Sequence, residues 1–350
     1  MKFLRAALFI FMAVLDLILL TPAFSQDTGF GKNKVQYRNF EWSYIQTNNF
    51  DIYYYPGGYE LAKFAAQVLE YANKIVSDQL RYQLRKRVPI IIYQSPNEFQ
   101  QTNVVSDLIE ENVGGFTEAF KNRVVIPFNG SYEDFRHVLH HELTHALIFD
   151  MLYGNILHSL FSPQTLFNLP LWFSEGYAEF SSRFGMDYQG DMVLRDAAVN
   201  NYLIPLPYLG GYLAYKEGQS VLTYVTQRYG EEKIHEILTR GRGKLSFNDG
   251  LKAAIGLTEE QLNEEWQMAL KKIYWPELAK RKLPKEFAKQ LTFHDKDGSF
   301  FNEKPVFSPQ ADRLALFSDR RDYTEILVIS TIDGRLIDRV VKGEMTKISV

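Results

Sequence analysis

Apolar residues along this chain recur with two periods, and the change from one to the other marks out its elements. Residues 49–55 (Asn-Phe-Asp-Ile-Tyr-Tyr-Tyr) have strand character and stop at the Pro56-Gly57-Gly58 turn. From 59 to about 87 the period becomes helical, with Leu61, Phe64, Ala65, Val68, Leu69, Ala72, Ile75 and Val76 on one face. The basic run 81–87 suits the solvated C-terminal end of that helix, where cations favour the dipole. A buried strand follows at 88–93, a helix start at Ser95-Pro96-Asn97-Glu98, and another strand at 123–128. Pro127 cannot donate a ladder hydrogen bond, which predicts an edge position for this last strand, with Val124, Val125 and Ile126 either open to an added strand or covered by a loop.

The next helix carries the chemistry. Ser131 stands as N-cap with Asp134 three residues on, and Phe135, Val138, Leu139, Leu143, Ala146, Leu147 and Phe149 supply its apolar face before Gly154. Within it lies His141-Glu142-Leu143-Thr144-His145. Residues four apart on a helix lie one above the other, so both imidazoles can reach one metal ion. Glu142 is rotated about a quarter-turn away and is free to act on a water at the metal without being a ligand. A catalytic zinc takes three protein ligands, and the best third candidate is Glu175. It sits on a second helical pattern opened by Pro170 and flanked by Trp172, Phe173, Tyr177, Ala178 and Phe180. Glu179, one turn beyond on the same face, is either a partner that orients a ligating histidine or a plain surface residue. His140 should point away from His141; His137 is one turn before it and either touches the site or is a partly buried helix histidine, and His158 has no spacing argument in its favour.

The sequence His141-Glu-Leu-Thr-His145 followed by Trp172-Phe-Ser-Glu175-Gly-Tyr-Ala-Glu179 resembles the gluzincin metallopeptidases, whose third ligand is a glutamate. The resemblance covers about residues 40–278. It implies a zincin-like α+β fold with a mixed sheet and a helical subdomain, Zn2+ on His141, His145 and Glu175, Glu142 as general base, and a peptide or protein substrate. The metzincin pattern would need glycine and histidine where Ile148 and Met151 stand, and is excluded. Zincins often place a Tyr or His donor against the oxyanion, and Tyr215, or Tyr212 beside it, is the candidate here. Gly114-Gly115-Phe116-Thr117-Glu118-Ala119 resembles the glycine-rich motif of gluzincin aminopeptidases. Thr117 and Ala119 replace its methionine and asparagine, so a bend ending in a surface glutamate is expected, and endopeptidase is favoured over aminopeptidase.

Further helical patterns occupy 218–229, 231–240, 247–255 and 259–274, the last opened by Thr258-Glu259-Glu260-Gln261. From about Leu291 the period turns to strands. Residues 305–320 resemble a TolB/WD40-like propeller repeat, with Ala311 at its usual glycine, and 325–329 and Asp333-Gly334 add a strand and a hairpin turn. One blade cannot bury its faces alone, so the favoured expectation is part of a longer propeller, able to bind a protein partner, and the alternative is a lone sheet packed on the preceding domain. The predicted division is therefore a signal peptide at 1–25, a peptidase domain at 26–285 and a propeller-like segment at 291–350.

Composition narrows the setting. In 350 residues with a formal charge of −3, nothing argues for nucleic acid. Lys2 and Arg5 precede an apolar run at 6–20 interrupted by Asp16, and Ala23-Phe24-Ser25 offers small residues before Gln26. This reads as export to the periplasm, the cell envelope or the medium, with a retained signal anchor as the alternative. The chain has no cysteine, which removes thiolate ligands, disulfides and a lipid-modified N-terminal Cys, so a metal site must use nitrogen and oxygen. The apolar stretch 151–173 either fills the core between the two site helices or forms a lid, leaving substrate or membrane contact open. The functional alternative to catalysis is a peptidase-fold scaffold whose propeller-like region docks a partner.

Overall fold

The computed structural model describes residues 37–105, 109, 113–118, 121–154, 167–282, 284–320 and 323–342. The signal-peptide segment, His158, and Leu157, Leu160, Phe161 and Leu166 of the apolar stretch lie outside the described residues. The chain divides into two compact units, residues 1–271 and 272–350.

The first unit is built on a five-stranded sheet of order β1-β2-β3-β5-β4: β1 (Ser43–Gln46), β2 (Phe50–Tyr54), β3 (Val88–Tyr93), β4 (Phe116–Glu118) and β5 (Arg123–Pro127). β2, β3 and β5 run parallel, and β1 and β4 flank them antiparallel. The two-residue period decides the faces. Ile52, Ile90 and Val124 share one face through the register Ile52↔Ile90↔Val124 and are fully buried. Ile91, Val125 and Phe116 share the other, packed with Tyr55, Tyr93 and Phe99.

The strand at 123–127 is therefore not an edge. β5 is hydrogen-bonded on both sides, and Val124, Val125 and Ile126 are buried in the sheet interior. Pro127 is tolerated because Phe128 N donates to Tyr93 O, so by alternation the Pro127 nitrogen faces the other side, past the end of β4. The edge is β4, formed where a bend was expected, and its Glu118 is tied across the ladder to Arg123 at 2.5 Å.

Helix α1 (Tyr59–Leu80) crosses between parallel β2 and β3. It stops seven residues before the predicted end because Arg81 turns left-handed (φ 48) and Tyr82 N returns to Ser77 O. The basic run beyond it is not free helix end: Arg87 pairs with Asp51 at 3.1 Å and Arg85 N donates to Asp150. The short α2 (Pro96–Phe99) begins as predicted, with Ser95 Oγ accepting from Glu98 N. α3 (Tyr132–Tyr153) starts with Ser131 Oγ accepting from Asp134 N, and Asn129 takes the Ser131 N–H. α4 (Leu171–Arg183), α5 (Tyr188–Asn200) and α6 (Gly211–Tyr229) complete the surroundings of the site. α7 (Glu232–Lys244), α8 (Phe247–Ile255) and α9 (Glu259–Leu278) follow, the last opened by a reciprocal box between Thr258 and Gln261.

α4 and α6 meet backbone to backbone. A Cβ on Gly218 would collide with the Trp172 carbonyl, and one on Gly176 would collide with Gly218. This close approach sets α6 against the glutamate helix. The ends of the apolar stretch fill the core, with Met151, Leu152 and Phe167 buried and Tyr153 OH donating to Phe167 O.

The second unit contains short helices α10 (Pro284–Phe287) and α11 (His294–Asp297) and an antiparallel meander β6-β7-β8-β9: β6 (Asn302–Phe307), β7 (Arg313–Ser318), β8 (Glu325–Ser330) and β9 (Leu336–Val341). Leu314, Leu316 and Ile329 pack with Leu291 and Leu336. The sheet is open, and no closed propeller exists among the described residues. Ala311 has φ 56, which explains why a glycine would suit that turn.

Candidate metal centre

α3 and α4 place three side-chain atoms at one point. His141 Nε2 and His145 Nε2 are 3.2 Å apart, and Glu175 Oε2 lies 3.3 and 3.2 Å from them. The other ring nitrogens are engaged: His141 Nδ1 with Glu179 Oε1 at 3.1 Å and His145 Nδ1 with Ser174 Oγ at 3.2 Å. A carboxylate only accepts, so the His141 Nδ1 carries hydrogen, and an ion that displaces the Nε2 proton would meet a lone pair there. Three lone-pair donors then face one another in a buried site. Tetrahedral bonds of 2.0–2.1 Å place ligand atoms about 3.3 Å apart, and the donor triangle here matches one face of such a tetrahedron. The residues fit a zinc-sized ion with nitrogen and oxygen ligands.

The charges around this point are extreme. Burial alone would depress His141, but Glu175 and Glu179 on its two nitrogens lift its pKa to about 10, so Nε2 keeps a proton that a bound ion would displace. Burial alone would raise Glu175; His145 and His141 beside it hold its carboxyl well below the usual range instead. Glu179 is likewise held low against its burial by His137 and His141. His137 Nε2 sits 3.0 Å from Glu179 Oε1, so His137 touches the carboxylate behind the centre rather than the centre itself. His140 points away as expected, to Ser181 Oγ at 3.1 Å, and burial drops its pKa to about 4.

Glu142 is buried beside the donor triangle without joining it. Its Oε2 and its backbone oxygen lie 2.7 and 2.9 Å from the Thr117 hydroxyl of the edge strand, which orients the carboxylate. Tyr215 stacks on His141 with ring centroids 5.8 Å apart and planes at 15°, while Tyr212 is more than half exposed at the rim. Burial and the Glu175 carboxylate beside it push the Tyr215 phenol well above its ordinary value, so it stays a protonated donor. A cavity of about 520 Å³ opens here, lined by Gly115, His141, Glu142, Tyr215, Lys216 and Arg183 among others. Val124, Val125, Ile126 and Glu118 are not in its wall.

A helix pair that brings two histidines and a glutamate together on a mixed sheet is consistent with the class of metallopeptidase-like folds. Residues 73–272 match the family model of the Peptidase MA superfamily, 200 of the 350 residues, and the chain belongs to that superfamily. No curated protein matches it significantly. The matched segment starts within α1 and contains β3, β4, β5 and every site residue described above.

Sequence reasoning passed over three contributors. Thr117 was read only as a departure from a motif, and nothing local links it to Glu142, 25 residues away. Lys216 Nζ lies 2.8 Å from Glu179 Oε2, and only its place next to Tyr215 hinted at the site. Arg183 continues the i, i+4 row Glu175–Glu179–Arg183, a signal that was available in the spacing.

Proposed function

We propose that this chain is an exported zinc-dependent peptidase in which Glu142 is the general base. The observation that carries the reading is the 3.2–3.3 Å triangle of His141 Nε2, His145 Nε2 and Glu175 Oε2, with the Glu142 carboxylate oriented beside it. When bound, zinc lowers the pKa of water towards neutrality and polarises a carbonyl. Glu142 removes a proton from the attacking water at its carboxylate and returns it to the leaving amine. The Thr117 hydroxyl keeps that carboxylate aimed, and the protonated Tyr215 phenol donates to the oxyanion. Glu179 keeps His141 in the tautomer that leaves Nε2 free. β4 is an edge of the sheet among the described residues, and its main-chain groups would pair with an extended substrate. Export is supported by Lys2, Arg5, the apolar run at 6–20 and the small residues that follow. Among the described residues no helix is long and apolar enough to cross a membrane.

The test is a peptide-library digest with purified protein. Glu142→Gln is expected to retain stoichiometric zinc while hydrolysis falls by at least about 100-fold. Full activity in that variant would sink the mechanism. A partner-binding role for the second unit is the second reading, favoured by exposed Val306, Phe307, Val340 and Val341 on its outer strands.

A further inference from the structure

Arg183 ends the row of charged residues that α4 presents to the cavity, and its guanidinium is underused. Among the described residues its one ion pair is Nε to Asp187 Oδ2 at 3.4 Å, too long for a good hydrogen bond. Nε is buried without a hydrogen-bond partner, and the guanidinium donates to no described residue. Asp187 does not depend on it: Oδ1 caps α5 by accepting from Gly190 N at 2.6 Å, and Oδ2 takes Lys216 Nζ at 3.3 Å. Glu179 is also engaged, by His137, His141 and Lys216. The neighbouring anions are thus committed elsewhere. A partly buried arginine with its planar fork of donors unfilled lines the same cavity as His141 and Glu142.

Arg183 and His137 also line a second cavity of about 590 Å³, together with Phe64 and Val68 of α1, Glu133 and Arg136 of α3, and Phe184. Arg183 therefore borders both cavities. A carboxylate is the group whose geometry matches a guanidinium fork, and a desolvated bidentate pair is strong enough to select substrates.

We propose that Arg183 is a substrate-recognition residue that selects peptides carrying a carboxylate near the scissile bond, on an acidic side chain or at a free C-terminus. The assignment rests on the peptidase reading for its choice of ligand.

The experiment measures peptide binding, so that it does not depend on turnover. Zinc-loaded full-length Glu142→Gln protein is titrated with fluorescein-labelled peptides in matched forms: Glu against Gln in the sequence, and free against amidated C-terminus. A carboxylate-bearing form is expected to bind about 10- to 100-fold tighter than the neutral amidated form. The Glu/Gln pair and the free/amidated pair show which source is read. Adding Arg183→Met should collapse the ratio to within about twofold, and Arg183→Lys, which keeps charge but not the fork, should give an intermediate ratio. The Lys variant decides the matter if the Met variant does not fold. An equal ratio with and without Arg183, or a ratio near one with Arg183 present, overturns the proposal. Carboxylate-selective binding through Arg183 with no hydrolysis by the otherwise intact enzyme would defeat the peptidase reading and leave this assignment standing. Hydrolysis without carboxylate preference would do the reverse.

Discussion

Two groups of histidine and glutamate lie side by side on α3 and α4, and they are not chemically equivalent. His141, His145 and Glu175 form one, and His137, His141 and Glu179 the other. In the first, two Nε2 atoms and a carboxylate oxygen face one another, all lone-pair bearers when the rings are neutral. Such an arrangement can hold a cation at its centre. In the second, Glu179 Oε1 takes two imidazole N–H groups and Oε2 takes the Lys216 ammonium. That carboxylate is saturated by donors, and Lys216 occupies the role a cation would have. The same residue types at the same spacing thus give a candidate metal centre in one layer and its support in the next.

The sharpest break between the layers is metal affinity. His145→Ala or Glu175→Ala should abolish stoichiometric zinc, a loss of at least about 1000-fold, whereas Glu179→Ala should weaken it by about 10- to 100-fold. Isothermal titration with zinc reads both, and equal losses would erase the distinction between ligand and support.

Lys216→Met comes next. It leaves Glu179 Oε2 buried without its ammonium, and removing one partner of a buried pair costs about 3–5 kcal/mol. Urea unfolding should show that loss, and Lys216→Met with Glu179→Gln should recover part of it. A single-variant cost under about 1 kcal/mol would mean that Lys216 does not lock the second layer.

A third carboxylate sharpens the contrast further. Glu217, next to Lys216, is fully buried, and neither of its oxygens has a hydrogen-bond partner. Burial pushes its pKa from 4.5 up to about 8, with the Ile204 backbone offsetting this only in part and the Tyr202 phenol nearby. Between those values the unfolded chain has lost the proton that the folded protein keeps, so stability falls as pH rises from about 4.5 to about 8 and is level above. Glu217→Gln should remove that fall, a gain of up to about 3 kcal/mol at pH 7 in urea unfolding followed across pH. A pH profile identical to that of the wild type would show that the carboxyl finds a partner. The low Glu175, the low Glu179 and the raised Glu217 follow from a facing pair of histidines, a saturated set of donors, and burial that the Ile204 backbone only partly offsets.

Much of the first layer was legible because helical geometry is local. The i, i+4 spacing places His141 and His145 together whatever surrounds them, and the Ser131 and Thr258 caps are formed within three or four residues. What failed was non-local. The left-handed Arg81 that ends α1 has no glycine to announce it. Pro127 looked like an edge signal, yet an edge depends on which other strand arrives, and β4 arrived from a segment expected to bend. Thr117 and Lys216 reach the site across 25 and 37 residues, with no periodicity to report it.

The sequence by itself determined the ligand types, the helix that aligns two of them, the candidate third carboxylate and the nitrogen–oxygen character imposed by the lack of cysteine. Tertiary structure alone decided which carboxylate meets the two Nε2 atoms and which is saturated by Lys216. The physical reason is that helix spacing is set by one backbone, whereas the Glu175 and Glu179 environments depend on how α4 docks on α3 and how closely Gly176 and Gly218 let α6 approach.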